Sequence, residues 1–126
     1  MTVKFTSGKV KILAFSWLSD INGDITIPVL NHAGYSLAAV ETVPGLDGDL
    51  TTTLPTSYDV LINDEYGHNL AAGETTNNLA GRSASVAEII YSNPMVPILG
   101  ELSIVISSAG NAKTGLILLF LERKSH

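Results

Sequence analysis

Apolar and polar positions alternate with a period of two along most of the chain, and that period predicts strands. From Val10 to Leu18 one face carries Val10, Ile12, Ala14, Ser16 and Leu18, and the other Lys11, Leu13, Phe15 and Trp17. Asn22-Gly23 follows, flanked by Asp20 and Asp24. Asn-Gly tolerates the positive φ of a type I′ turn, so a hairpin is expected, returning through Asp24 to Leu30. Pro28 has no N–H to donate and moves that return strand towards a sheet edge or a bulge. A third strand is expected over Tyr35 to Val43, ended by Pro44-Gly45. A fourth runs over Ser57 to Asn63, with Tyr58, Val60 and Ile62 on one face and Asp64 to Gly67 as its closing turn.

Residues 67 to 85 lose the rhythm. They are small and polar, and a long aperiodic segment in a compact domain is often an interface. Ser85 to Tyr91 fits a helical turn or a short strand equally. Asn93-Pro94 and Pro97 predict loop. Alternation returns at Glu101 to Ser107, with Leu102, Ile104 and Ile106 inward, and a turn spans Ser108 to Lys113. The last strand, Gly115 to Leu121, is apolar on both faces, which places it centrally in a sandwich or beneath a neighbouring subunit. Short strands separated by Gly, Pro and Asx turns predict an all-β fold, an antiparallel β-sandwich or jelly-roll-like barrel of six to eight strands.

The 126 residues suit one domain spanning 1–126, with 1–8 as an extended N-terminal arm. Hydrophobic residues make up 45% and charged residues 15%, leaving little charge to cover a small domain. That balance predicts burial between subunits, so a homo-oligomer is expected, with a trimer as the working number. No apolar run approaches the roughly 18–20 residues of a membrane span. Lys4, Lys9 and Lys11 interrupt the start, where a signal peptide would need an apolar core, so a cytoplasmic start is expected. Charge is divided unevenly: eleven of the twelve acids lie between Asp20 and Glu101, where Arg82 is the lone base. That acidic stretch would repel nucleic acid, whereas the basic ends could face the acidic loops of another copy.

Candidate chemistry is sparse. The absence of cysteine removes disulfides and thiolate metal sites. Asp20, Asn22 and Asp24, and likewise Asp47 and Asp49, lack the spacing of a calcium loop and read as turns. His32, His68 and His126 have no second histidine at metal-ligand spacing. Asp64, Glu65 and His68 could form an acid–base group, but no nucleophile elbow or phosphate loop accompanies them, and a solvated turn is the simpler reading. Arg82 could clamp a neighbour's carboxylate or make one internal ion pair. Trp17 and Tyr91 could stack on a sugar, or sit in the core. No catalytic residue, metal or cofactor is expected. The interface is expected at Leu70, Leu79 and Arg82 in the aperiodic segment, at Lys113, and at Ile117, Leu119 and Leu121 on the closing strand.

Val43-Pro44-Gly45, Pro55-Thr56-Ser57-Tyr58-Asp59-Val60, Asp64-Glu65-Tyr66-Gly67, Gly81-Arg82-Ser83, Leu102-Ser103-Ile104 and Ser107 to Gly115 occur in that order. From Val43 onward the chain resembles a group of small virion proteins of tailed bacteriophages. His68-Asn69 departs from the acidic residue that pattern has, and the N-terminal strands match it poorly. The resemblance implies a non-enzymatic structural role in the virion. Capsid decoration is the first expectation, by a homo-oligomer bound to the major capsid protein. A tail or neck adaptor is the alternative within that class, and a carbohydrate- or host-surface-binding module the alternative outside it.

Overall fold

The computed structural model describes residues 2–6, 9–45, 58–70, 79–82 and 88–123, with backbone only at 2–6, 79–82, 88 and 90–95. These residues form nine strands and no helix: β1 (Thr2–Thr6), β2 (Val10–Leu18), β3 (Ile25–Val29), β4 (Tyr35–Pro44), β5 (Tyr58–Asp64), β6 (Leu79–Arg82), β7 (Glu88–Pro97), β8 (Leu102–Ser107) and β9 (Thr114–Arg123). A five-stranded sheet has the order β1-β2-β9-β4-β7 and a four-stranded sheet the order β3-β8-β5-β6, with every pairing antiparallel. The pairs β2·β9, β3·β8, β4·β7 and β5·β6 are nested, outermost with outermost. A long two-stranded ribbon folded over on itself gives that order, which is the wrap of a jelly roll, with β1 added at one margin. The chain is an all-β antiparallel sandwich.

Several sequence expectations need correction. The segment 1–8, expected as an extended N-terminal arm, contributes β1, whose Thr2 and Val3 stand opposite Ala14 and Leu13 of β2. The aperiodic segment contains β6, which pairs with the start of β5. The Asn22-Gly23 turn does not make a hairpin, since β2 pairs with β9 and β3 with β8, in different sheets. Its local chemistry is still that of a tight turn: Gly23 has a φ of 83° and donates to the Asp20 carbonyl, and Asp20 Oδ1 accepts from the Asn22 and Asp24 amides. Pro94 and Pro97 lie inside β7 rather than in a loop. There Leu37 pairs with Val96 and Ala39 with Tyr91, so Ala38 spans Ser92 to Met95, and Pro94 sits in a bulge on an edge strand where its missing donor costs no ladder bond. Pro28 lies on the edge strand β3, as its chemistry required.

The inner faces close on one core. Leu13, Phe15 and Trp17 of β2, with Ile117, Leu119 and Leu121 of β9, face Tyr58, Val60 and Ile62 of β5 and Leu102, Ile104 and Ile106 of β8. Trp17 and Tyr58 meet at 5.4 Å between ring centroids, tilted by 56°. The indole lies across β9 at Gly115, its register partner, where a Cβ would land inside the ring system. Buried Ser19 fastens the corner above: its amide donates to the Lys113 carbonyl at 2.9 Å, its hydroxyl donates to the Gly110 carbonyl, and that hydroxyl accepts from the Lys113 amide at 2.9 Å. The corner after β2 is thereby locked to the corner before β9.

Gly115→Ala should overpack Trp17 and lower the unfolding free energy by about 1–3 kcal/mol, measured by urea denaturation. A neutral result would mean that the indole does not cross β9 at that point.

Candidate interaction surface

The two sheets differ on their outer faces. On the four-stranded sheet the outward positions are polar in the usual way: Thr26 on β3, Ser103 and Ser107 on β8, and Asp59 and Asn63 on β5. Pro28 on β3 and the pair Leu61 opposite Val105 interrupt them. An antiparallel sheet with one face in water reads this way, apolar inside and polar outside.

The outer face of the five-stranded sheet does not follow that rule. Its cross-strand rows run Ile12–Phe120–Ala39, Ala14–Leu118–Glu41–Ile89 and Ser16–Leu116–Val43. Leu18 extends it at 58% exposure and Ile89 at 42%. Phe120, Leu118 and Leu116 are half-buried although no further layer of described residues lies over them. Glu41 is the lone charge within these rows.

The expected interface positions on β9 are therefore one residue out of phase. Ile117, Leu119 and Leu121 are at most 1% exposed and belong to the core, so they cannot meet a partner. The outward residues of β9 are Leu116, Leu118 and Phe120. Leu70 is also a core residue at 4% exposure, its amide held by the Ile62 carbonyl. Lys113 is half-buried in the corner beside Ser19. Leu79 and Arg82 stand opposite Val60 and Tyr58 in the ladder. Asp47, Asp49, residues 71–78 and His126 lie outside the described residues, as does the side chain of Tyr91. Trp17 is 3% exposed and faces the core, which removes it as a sugar-stacking platform.

Asp64, Glu65 and His68 do come together, as a turn. Asp64 Oδ1 accepts from the Tyr66 and His68 amides, each at 2.9 Å, and Oδ2 meets His68 Nδ1 at 2.9 Å. The Asp64 side chain is 1% exposed and the His68 side chain 65% exposed, so the pair closes the end of β5 at the surface instead of lining a cleft. Burial pushes the Asp64 carboxyl upward, but the bonds from His68 and Tyr66 outweigh it and hold the group below its ordinary value. Glu65 shields the neighbouring phenol: its hydrogen bond and charge raise the pKa of Tyr66. Among the described residues no group of three or more His, Cys, Asp or Glu side chains could hold a metal ion.

A carboxyl with a depressed folded pKa stabilises the fold above its ordinary pKa, and that contribution is lost as pH falls through the lower, folded value. Asp64→Asn should therefore melt below wild type at neutral pH, with the difference shrinking in acid. Thermal melts of both proteins from pH 7 to pH 2 check this; a constant difference across the range would contradict the account.

No known family and no curated protein matches the sequence. Among solved structures, similarity extends to PliG of Aeromonas hydrophila, a periplasmic lysozyme inhibitor of g-type lysozyme. The identity is 14%, over 97% of this chain and 93% of that one, with a TM-score of 0.35. At that score the likeness carries no argument about function.

Proposed function

We propose that this chain is a non-enzymatic assembly protein of a tailed-bacteriophage virion, a capsid decoration protein that acts as a homo-oligomer and binds the major capsid protein. The observation that carries the reading is the contrast between the two outer faces. One is polar, as a solvated face should be; the other is apolar across β2, β9 and β4. Burial of such a face is the main favourable term in association. Those three strands, about 4.8 Å apart and some nine residues long at about 3.3 Å each, cover on the order of 400 Å², about half of the roughly 800 Å² per partner of a standard stable interface.

The ordered matches from Val43 to Gly115 supply the virion side of the reading. The jelly-roll wrap is compatible with it, being common in viral capsid and lectin domains, though a fold alone assigns no function. In this reading the apolar sheet face is the surface covered on assembly, and specificity comes from the loops around it.

Light scattering on the full chain should show a discrete oligomer. Leu118→Lys should convert it to a monomer with the same circular dichroism spectrum, because position 118 faces outward, and its melting temperature should fall by no more than the loss of association accounts for. A wild-type chain that stays monomeric at about 100 μM, well above the Kd of a standard interface, would refute the oligomer. Co-sedimentation with undecorated phage capsids tests the second half, and failure to bind capsids from the phage that encodes the chain would refute decoration.

A further inference from the structure

At the end of the sandwich where β2 begins and β9 finishes, the inward faces of both strands turn from apolar to cationic. Lys11 continues the face of Leu13, and Arg123 that of Leu121. Tyr35 stands opposite Arg123 in the ladder, with its ring in reach of both cations. Lys11 Nζ lies 5.1 Å from the ring centroid and the Arg123 guanidinium 4.9 Å from it. Arg123 Nη2 also donates to the Tyr35 hydroxyl at 3.2 Å. His32 meets the ring edge-on at 6.2 Å, steadied by a 2.7 Å contact between its Nδ1 and the Leu30 carbonyl.

Among the described residues no carboxylate forms an ion pair with Lys11 or Arg123. An aromatic face attracts a cation, but two like charges gathered on one ring repel each other. An oxyanion bridging them removes that repulsion, and a guanidinium fork matches a carboxylate in shape. The rim is apolar. Leu30 is 71% exposed and Leu99 50% exposed. The Ile98 amide, donating to the Tyr35 carbonyl at 2.9 Å, fixes the Leu99 loop beside the cluster. Glu101 is exposed on that loop, and Glu65 packs against its Gly100. Those carboxylates would repel a long polyanion while leaving room for a single acidic side chain with apolar neighbours.

We infer that this end of the sandwich receives an acidic protein segment, a carboxylate seated on Lys11 and Arg123 with flanking apolar side chains on Leu30 and Leu99. The inference does not depend on what covers the five-stranded sheet, which lies on a different surface. Its test is fluorescence anisotropy with the full chain and a short labelled peptide carrying one Glu between leucines, beside the same peptide with Gln for Glu and a short single-stranded DNA.

The Glu-Leu peptide should bind, the Gln-Leu peptide and the DNA far less. Lys11→Gln and Arg123→Gln should each weaken binding by about tenfold or more, the scale of a lost charged hydrogen bond. Thr26→Ala, on the outer face of the four-stranded sheet, should leave binding unchanged. On the unaltered chain, the Tyr35 ring resonances should shift as the peptide is titrated. Equal binding of the Gln-Leu peptide, preference for DNA, insensitivity to both substitutions, or resonance shifts that spare Tyr35 would each overturn the assignment.

Discussion

Everything in this sandwich leans on β9. It hydrogen-bonds to β2 along one side and β4 along the other over nearly its whole length, and it is apolar on both faces. One face, Ile117, Leu119 and Leu121, builds the floor of the core. The other, Leu116, Leu118 and Phe120, builds the middle of the exposed sheet. A strand so placed cannot slip by one residue without exchanging those two sets, yet both sets are greasy. The packing of Trp17 over Gly115 and the Ser19 lock at the adjoining corner help to hold the register where alternation of polarity does not.

The nested pairing also sets the long-range character of the fold. Val10 bonds across to Glu122 and Leu18 to Thr114, so the principal ladder joins the two ends of the chain. Closing such loops costs entropy before any contact is gained, and folds dominated by pairings of this kind form slowly compared with helical ones. The short β5·β6 pair at the fold of the ribbon and the β5·β8 ladder span less chain.

Much of this architecture was legible in the residues. Alternation located β2, β4, β5 and β8 to within a residue or two, and Tyr58, Val60, Ile62, Leu102, Ile104 and Ile106 point inward as their period required. What alternation could not supply was partnership. Asn22-Gly23 announced a turn, but whether a turn closes a hairpin or crosses between sheets depends on which distant strand is the better partner. Pro94 spoke for loop because a proline blocks a ladder, and the bulge that accommodates it is a property of the pair β4·β7. The missed phase of β9 has the same origin: with apolar residues on both faces, sequence contains no contrast from which to choose the inward set. The cluster around Tyr35 draws on three strands and a loop, and only the end-to-end ladder brings Lys11 and Arg123 to one ring.

The placement of proline has a consequence for how copies can combine. Pro28 lies on one margin of the four-stranded sheet, and Pro94 and Pro97 on one margin of the five-stranded sheet. A residue without an amide proton interrupts the row of donors that an incoming strand would need, so these margins are poor templates for continuing a sheet from one molecule into the next. Growth by strand addition, the route to fibrils, is discouraged there, and contact is steered onto broad faces and rims. For a chain with this much apolar surface, that separates a closed assembly from an open aggregate.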